Sequence, residues 1–231
     1  MKHSWQKTNI MLPRIVLWGG TGQAKVVRPI IEQQRSRVVA IVDDTPGLTS
    51  PFSDVPIYHG LRGFQKWITQ ERNRHAIGFC IAIGNPHGRA RLRLHDLLVK
   101  EGLTSINVIH SSAIIADNAK IGDGAQILAG AIIQPEVVLG RECIINTGAS
   151  VDHECILEDG VEIAPGAVLA GSVHIETGGW IASGAIVLPR LRVGADAIVG
   201  AGAVVTKNVP ARTVVAGVPA RHLKSIDTIS V

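Results

Sequence analysis

The chain has 231 residues, of which 46% are apolar, 18% are charged and only 3% are aromatic, and its net charge is +4. A chain of this length can bury a core without disulfide or metal cross-links, and Ala, Val, Ile and Leu must build that core. No apolar run approaches the ~18 residues needed to cross a bilayer, so the sequence predicts no membrane span. The arginines are not interleaved with aromatic residues, so nucleic acid is not an expected partner.

Targeting and redox signals are weak. The polar segment 1–12 is not followed by an apolar stretch of signal-peptide length, which predicts a cytoplasmic protein. Cys80, Cys143 and Cys155 form neither a CxxC pair nor a cluster with metal-ligand spacing, and an odd number fits a reducing compartment. We therefore expect three unpaired cysteines that fill small apolar spaces, and no metal site.

The first half of the sequence alternates buried strands with helices. Residues 14–19 are predicted to form a strand, after which a glycine turn opens a helix. The elements that follow are a strand over 37–44, a helix over 63–72, a strand over 76–84, a turn over 85–88, a helix over 89–102 and a strand over 105–110. This order predicts an α/β domain over residues 1–110, with a small Rossmann-like parallel sheet of three or four strands.

From Ile115 to Val205 an aliphatic side chain recurs every six positions, sixteen times in succession. Two positions before each one stands a mostly small residue, beginning with Ala113. A period of six matches neither a helix nor a long strand, so each hexad is predicted to be one short strand followed by a turn. The chain of residues 111–231 should therefore coil as a solenoid, and Pro210 and Pro219 should end it in a capping segment.

This periodicity resembles the hexapeptide-repeat family, whose fold is a left-handed parallel β-helix with three hexads in each coil. The handedness is implied by the resemblance. With three hexads in a coil, Cys143 and Cys155 fall on different faces of the helix, so we do not expect them to pair.

The glycine turn near residue 20 loosely resembles GxGxxG, and Asp43 and Asp44 follow at about the spacing of a ribose-binding acid. A nicotinamide cofactor would need a longer doubly wound sheet, which disfavours an oxidoreductase. Glycine amides at a helix start can hold phosphate, and carboxylates after a second strand can hold hydroxyls or a base. A nucleotide-linked ligand fits these features better than a free dinucleotide.

His153 and Glu154 lie in the most polar stretch of the repeat, "INTGASVDHEC". Histidine is the usual general base near neutral pH, and a neighbouring carboxylate can orient its ring and raise its basicity. From spacing alone the pattern favours an ordinary exposed histidine on a face of the solenoid.

A small βαβ domain joined to hexapeptide repeats that contain "NTGASVDHEC" is similar to the bacterial sugar acetyltransferases of the PglD and NeuD type. The resemblance implies a homotrimer with shared sites that acetylates a nucleotide-linked amino sugar or sialic acid with acetyl-CoA. It implies that His153 is the base, that Glu154 raises its basicity and that Asn146 lines the site. By the same resemblance the substrate-binding residues are Thr21, Gly22, Gln23, Asp43, Asp44 and Gly84, and the acetyl-CoA contacts are Glu162, Gly171, Ser183 and Ala201.

The sequence departs from the family at two places. Relatives often carry histidine at the position of Glu162, and a Gly-His-Gly turn at the position of Gly22-Gln23-Ala24. The implied mechanism is direct transfer: His153 takes the proton while the acceptor attacks the thioester, with no acyl-enzyme. Cys155 lies two residues away at an inward position and is therefore not expected to be a nucleophile.

Several alternatives remain at this point. A zinc hydrolyase on the same solenoid would need three converging histidines, whereas the repeat has only His153 and His174. A sugar-nucleotide pyrophosphorylase would need a first domain about twice as long. A non-catalytic trimeric scaffold would bind no CoA. N-acetylation of a 4-amino-4,6-dideoxysugar is preferred over O-acetylation of sialic acid or another sugar because the first domain keeps its Asp43-Asp44 pair, and the nucleotide is left open.

Overall fold

The computed structural model describes residues 14–84 and 86–226, and within them the first part of the chain forms a five-stranded parallel sheet in the order β3-β2-β1-β4-β5. Along the chain its elements are β1 (Arg14–Trp18), α1 (Gly22–Gln33), β2 (Arg37–Asp43), β3 (Ile57–His59), α2 (Gly60–Ile68), a 3₁₀ turn (Arg74–Ala76), β4 (Ile77–Ile81), α3 (Gly88–Lys100) and β5 (Thr104–Ser105). The predicted α/β class is confirmed. The sheet has one strand more than expected, because β3 is too short to give a sequence signal. Asn85, the start of the predicted turn, lies outside the described residues.

Both faces of the sheet are buried, which explains why its strands are apolar at almost every position. Alternate side chains of β1 point to opposite sides. Ile15 and Leu17 belong to the core under α1, whereas Val16 and Trp18 belong to the core formed with α2 and α3. Because β1, β2 and β4 are parallel, their carboxyl ends lie together at one edge of the sheet.

The single strand predicted over residues 105–110 is wrong. β5 ends at Ser105 and pairs with β4, whereas Val108–Ile109 pairs with Gln126–Ile127 in the second half of the chain. The Val108 amide donates to the carbonyl oxygen of Ala125 at 2.9 Å. The apolar run therefore belongs to two sheets, and the domain boundary expected at residue 110 falls after the first strand of the β-helix.

From Val108 to Val205, a stretch that is described throughout, two-residue strands repeat every six residues and pair in parallel with the strand eighteen residues away. The predicted hexapeptide-repeat β-helix of the left-handed class is confirmed. We name three faces. The first face has β6 (Val108–Ile109), β9 (Gln126–Ile127), β12 (Ile144–Ile145), β15 (Glu162–Ile163), β18 (Trp180–Ile181) and β21 (Ile198–Val199); the second has β7 (Ile114–Ile115), β10 (Ile132–Ile133), β13 (Ser150–Val151), β16 (Val168–Leu169), β19 (Ile186–Val187) and β22 (Val204–Val205); the third has β8 (Lys120–Ile121), β11 (Val138–Leu139), β14 (Ile156–Leu157), β17 (His174–Ile175) and β20 (Arg192–Val193).

The second residue of each strand points inward, as the period of six predicts. From Ile127 to Val205 these side chains are at most 3% exposed, and the preceding small residues, such as Ala131 and Ala149, pack beside them. Because a narrow triangular core has no space for large rings, this packing explains the low aromatic content.

The turns between faces form three edges that run along the helix axis. The first edge joins the first face to the second, the second edge joins the second face to the third, and the third edge joins the third face to the first. A turn residue with positive φ recurs every six positions from Gly124 to Gly202. Where it is not glycine it is polar or charged: Glu136, Glu142, Glu154, Ser172, Arg190 and Asp196.

The β-helix extends slightly beyond the predicted break at residue 208. β23 (Thr213–Ala216) pairs in parallel with β21, and β24 (Arg221–Ser225) then pairs antiparallel with β23. This antiparallel pairing ends the stack of parallel strands and covers the otherwise unpaired backbone of β23. Within the described parts of the chain, no helix has both the length and the apolar character needed to span a membrane.

Candidate active site

A cleft of about 670 Å³ opens at the carboxyl ends of β1, β2 and β4. Its lining includes every residue that the resemblance implied for substrate binding in the first domain: Thr21, Gly22, Gln23, Asp43, Asp44 and Gly84. These residues come from three separate loops that share one edge of the sheet. This is the usual ligand position in an open parallel α/β sheet.

The glycine turn is shaped by close backbone packing. Gly19 has φ of +111°, and a Cβ at this position would lie 2.3 Å from the carbonyl oxygen of Ala82. Gly22, by contrast, has no atom within 4 Å of an added Cβ. Gly19 therefore lets β1 and β4 meet at the cleft, while Gly22 leaves open space at the first residue of α1.

Asp43 holds the cleft loops together. Its two carboxylate oxygens accept hydrogen bonds from the amides of Gly20 at 2.7 Å and Thr45 at 2.8 Å. Burial raises the pKa of this carboxyl group, but the bonds from Thr45 and Gly20 outweigh burial, and the net pKa lies below its ordinary value. Asp43 is only 8% exposed, whereas Asp44 beside it is exposed to the cleft.

Sequence reasoning missed part of the cleft lining. Trp18, Thr45, His87 and Ala90 also line it. His87 directly precedes α3, whose first residue is Gly88. The predicted helix start near residue 89 was the one signal that could have indicated this second wall.

The first face of the β-helix contacts residues of the cleft wall. Gln126 of β9 donates from Nε2 to the carbonyl oxygen of Ile81 at 2.8 Å, and its Oε1 accepts from Nε2 of Gln23 at 2.8 Å. Glu162 lies two coils further on, and its Oε2 is 4.0 Å from the position of a Cβ on Gly84. Residues of both halves of the chain therefore meet beneath the predicted acceptor-binding loop.

Arg91 of α3 connects the cleft wall to the β-helix. Its side chain is fully buried, and it donates to the carbonyl oxygens of Ile83 at 3.1 Å, Glu142 at 3.1 Å and Gly160 at 2.8 Å. Burial lowers the pKa of Arg91, although the nearby carboxylates of Glu162 and Glu142 oppose this shift. Nη1 of Arg91 lies 3.6 Å from Oε2 of Glu162.

Glu142 is the second charged group of this interface. Burial raises the pKa of its carboxyl group against the hydrogen bond from His95, whose Nδ1 is 2.8 Å from Oε1 of Glu142. Glu162, predicted as an acetyl-CoA contact, is 6% exposed and belongs to this buried cluster beside Arg91.

The pair predicted as base and carboxylate lies on the second edge of the β-helix. Nδ1 of His153 is 2.9 Å from Oε2 of Glu154, and both side chains are 56% exposed. Ser172 also donates to Oε2 of Glu154 at 3.4 Å. Gly171 is stacked one coil above His153, and a Cβ on it would lie 2.5 Å from Cε1 and Nε2 of the ring. Gly171 was predicted as an acetyl-CoA contact, and the structure brings it against His153.

The remaining predicted site residues lie on a different edge of the same chain. Asn146, Ser183 and Ala201 follow strands of the first face and therefore belong to the first edge. His153 and Gly171 follow strands of the second face. One chain thus does not bring Asn146 together with His153, but the two groups flank one shared face, the second.

The three cysteines are buried and unpaired, in agreement with their prediction as apolar fillers. Burial raises the pKa of Cys143 to about 12 and that of Cys155 to about 11, so neither thiol is activated as a nucleophile. Over residues 14–84 and 86–226, no group of three or more His, Cys, Asp or Glu side chains converges as a metal site would require.

The fold and this site define the class of hexapeptide-repeat acyltransferases that carry an added α/β domain. Residues 14–93 match the PglD N-terminal domain, and residues 118–153 match the bacterial transferase hexapeptide repeat. A variant of perosamine N-acetyltransferase from Caulobacter crescentus, in complex with CoA and GDP-perosamine, is 32% identical with a TM-score of 0.83, over 91% of this chain and 97% of that one. The chain belongs to the PglD and NeuD type of sugar acetyltransferases.

Two further relatives extend the comparison. The acetyltransferase domain of PglB from Neisseria gonorrhoeae, in complex with acetyl coenzyme A, is 28% identical with a TM-score of 0.80, over 91% of this chain and 99% of that one. A 2,3,4,5-tetrahydropyridine-2,6-dicarboxylate N-acetyltransferase from Enterococcus faecalis is 60% identical over 43 residues. That match spans only 19% of this chain and 18% of the enzyme, so it concerns a short segment alone.

Proposed function

We propose that this protein transfers the acetyl group of acetyl-CoA to the amine of a nucleotide-linked 4-amino-4,6-dideoxysugar. The observation that carries the proposal is the His153–Glu154 pair on an open edge of the β-helix, in a chain whose first domain has a ligand-sized cleft. The perosamine enzyme with the same architecture binds CoA and GDP-perosamine. We propose that this chain binds ligands of the same two classes, acetyl-CoA and a nucleotide-linked amino sugar.

His153 acts as the general base. When Nδ1 carries the proton, it donates to Glu154, and Nε2 is left with a lone pair for an acceptor. The carboxylate stabilises the imidazolium that forms when Nε2 takes up a proton. Gly171 contributes by its lack of a side chain, because its backbone is in contact with the ring of His153.

The transfer is direct. The acceptor amine attacks the thioester carbonyl, and Nε2 of His153 takes the proton that the nitrogen loses. The tetrahedral intermediate collapses, the C–S bond breaks, and the thiolate of CoA takes the proton back from the imidazolium. No cysteine is needed, which agrees with the burial and raised pKa of Cys155.

The cleft of the first domain holds the sugar nucleotide. α1 starts at Gly22 with no acidic residue in its first turn, so its amides and dipole favour a phosphate there. Asp44 is exposed and can accept from hydroxyl or base groups, whereas Asp43 acts by holding the loops. The donor contacts are assigned to Gly171, Ser183 and Ala201 on the β-helix. The fourth predicted contact, Glu162, also lies on the β-helix but is buried beside Arg91.

A cyclic trimer completes the site. The first residue of each second-face strand points outward, and this ladder is mostly apolar: Ile114, Ile132, Ser150, Val168, Ile186 and Val204. Ile114 is 63% and Ile186 is 39% exposed, and a contiguous exposed apolar ladder is typical of an interface. Three copies that turn this face to a common axis bring the first edge of one copy against the second edge of the next. Asn146 of one copy then approaches His153 of its neighbour.

The acceptor is tested by measuring CoA release with UDP-, dTDP- and GDP-linked 4-amino-4,6-dideoxysugars and with sialic acid. Activity with an amino sugar alone supports N-acetylation, and activity with sialic acid alone supports the O-acetyltransferase alternative. His153→Ala is expected to lower kcat by roughly 10²–10⁴-fold. The matched control is His174→Ala, which removes a histidine held by Glu158 at 2.9 Å on the third face and should leave kcat unchanged.

The trimer is tested by light scattering, which should give about three times the chain mass. Ile186→Asp on the second face is expected to produce monomers that have lost activity. Ile156→Asp introduces the same change on the third face, where Ile156 is 44% exposed, and should leave the mass unchanged. A fully active monomer would contradict the shared site.

A further inference from the structure

A buried amide connects the β-helix to the acceptor loop. Gln126 is 0% exposed and lies on the first face of the β-helix, beneath the cleft. Its side chain makes two hydrogen bonds of 2.8 Å, one to the backbone of Ile81 and one to the side chain of Gln23. Most buried polar side chains in proteins are hydrogen-bonded, and these two bonds hold the amide of Gln126 in one orientation.

The backbone carbonyl of Ile81 determines the direction of both bonds. A carbonyl oxygen can only accept, so Gln126 must turn Nε2 toward Ile81 and Oε1 toward Gln23. Oε1 of Gln126 in turn can only accept, so Gln23 must donate to it from Nε2. This bond uses Nε2 of Gln23 and leaves its Oε1 as the acceptor for another donor, in a residue that lines the cleft.

We propose that Gln126 is a positioning residue that makes Gln23 present its carbonyl oxygen to the sugar of the bound nucleotide. The group recognised is a hydrogen-bond donor, a hydroxyl or amine of that sugar. A phosphate has no donor at neutral pH, so it is held by the backbone amides at the start of α1 and not by this carbonyl oxygen. This inference rests on the proposed function, since it assumes that a sugar nucleotide occupies the cleft, and it adds a specificity device at the place where the family often has histidine.

The ligand side is tested by calorimetric titration of GDP, UDP and dTDP and of their 4-amino-4,6-dideoxysugar conjugates. Gln23→Ala is expected to lower the affinity for the cognate sugar nucleotide by about 5- to 10-fold, which is the effect of losing one hydrogen bond. Affinity for the matching nucleoside diphosphate should change less than twofold. Gln34→Ala is the control, because the side chain of Gln34 also donates a hydrogen bond, to the carbonyl oxygen of Asn107 just before the β-helix, but Gln34 lies at the far end of α1.

The positioning role is tested by a double-mutant cycle. Gln126→Met keeps the size of the side chain but frees Gln23 to rotate. It should lower the affinity for the sugar nucleotide several-fold and leave the KM for acetyl-CoA unchanged. In the double variant with Gln23→Ala the second change should add little, because Gln126 acts only through Gln23. Fully additive losses would overturn the positioning role. If Gln126→Met does not fold, Gln126→Glu replaces it, because a glutamate at 126 still offers an oxygen acceptor to Nε2 of Gln23. Its affinity for the sugar nucleotide should stay near that of the wild-type protein, and a loss as large as that of Gln23→Ala would overturn the positioning role.

The outcomes separate the two proposals. If the wild-type protein binds none of the sugar nucleotides, the proposed function is wrong. Suppose that the wild-type protein binds one of them and that Gln23→Ala lowers the affinity for the free nucleoside diphosphate as much as that for the conjugate. The amide of Gln23 then faces the phosphate, and only this inference is overturned. An unchanged affinity for both ligands overturns it as well.

Discussion

The imidazole of His153 lies directly against the backbone of Gly171, eighteen residues further along the chain and one coil higher in the β-helix. A Cβ on Gly171 would be 2.5 Å from Cε1 and Nε2 of the ring, well inside van der Waals contact. Gly171 does not have a positive φ, so its turn does not require glycine for conformational reasons. The space that glycine leaves is therefore occupied by the side chain proposed as the base.

Gly171→Ala is expected to displace the ring of His153 and to lower kcat by about 10²-fold, the usual effect of a 1 Å misplacement of a catalytic group. The melting temperature should change little, because His153 is exposed and can rotate away. Pro135→Ala, which places alanine at the same turn position one coil before His153, is the control. Steady-state kinetics and thermal unfolding of both variants test this, and an unchanged kcat in Gly171→Ala would argue against His153 as the base.

Glu154 has a φ of +59°, a conformation that costs a non-glycine residue about 1 kcal/mol. Glu154→Gly should therefore be at least as stable as the wild-type protein, while kcat falls by about 10-fold or more because Nδ1 of His153 loses its carboxylate. Glu136→Gly changes the same turn position one coil earlier, at φ +64°, and should leave kcat unaltered. Equal activity of the two variants would show that Glu154 only forms a turn.

Asp43 should make stability depend on pH in the acidic range. Its folded pKa is lowered, so it contributes stability above its unfolded pKa of about 3.9, and this contribution is lost as pH falls through the folded value. Asp43→Asn keeps one acceptor for two amides and should lower the free energy of unfolding by about 1–3 kcal/mol at pH 7, with a smaller difference near pH 3. Urea unfolding at both pH values measures this. The exposed neighbour provides the control, since Asp44→Asn should stay within about 0.5 kcal/mol of wild type.

Arg91→Met is expected to lower the free energy of unfolding by about 3–5 kcal/mol, because it leaves three buried carbonyl oxygens and two carboxylates without their guanidinium. Arg91→Lys should not restore stability, since an ammonium group cannot reach three divergent acceptors. Arg93→Met, an exposed position on the same helix, should stay near wild type. Denaturant titration distinguishes these outcomes, and a small loss in Arg91→Met would mean that the domain interface does not depend on this residue.

The solenoid was predictable in detail because its signal is purely local. Each hexad places one inward side chain after one turn, so sixteen repetitions identify the same structure independently of the rest of the chain. The α/β domain was predictable in class for a similar reason, since Gly19, Asp43 and the apolar strands have recognisable spacing. Ile57–His59 and the split at residues 105–110 were missed because two- and three-residue strands depend on a partner strand for their existence.

The sequence by itself determined the two folds and the neighbouring positions of His153 and Glu154, because each depends on residues that are close along the chain. The cleft-lining residues, which are distant along the chain, were implied by the family resemblance. Only the tertiary structure decided that Gly171 supports His153, that Gln126 orients Gln23 and that Arg91 joins the cleft wall to the β-helix. These contacts join residues that are 18, 103 and 51 or more positions apart. No local pattern predicts the contacts of Gln126 and Arg91, because only the packing of the two domains brings these residues to their partners. The 18-residue coil places Gly171 over His153, but only the structure shows that its missing side chain leaves room for the ring.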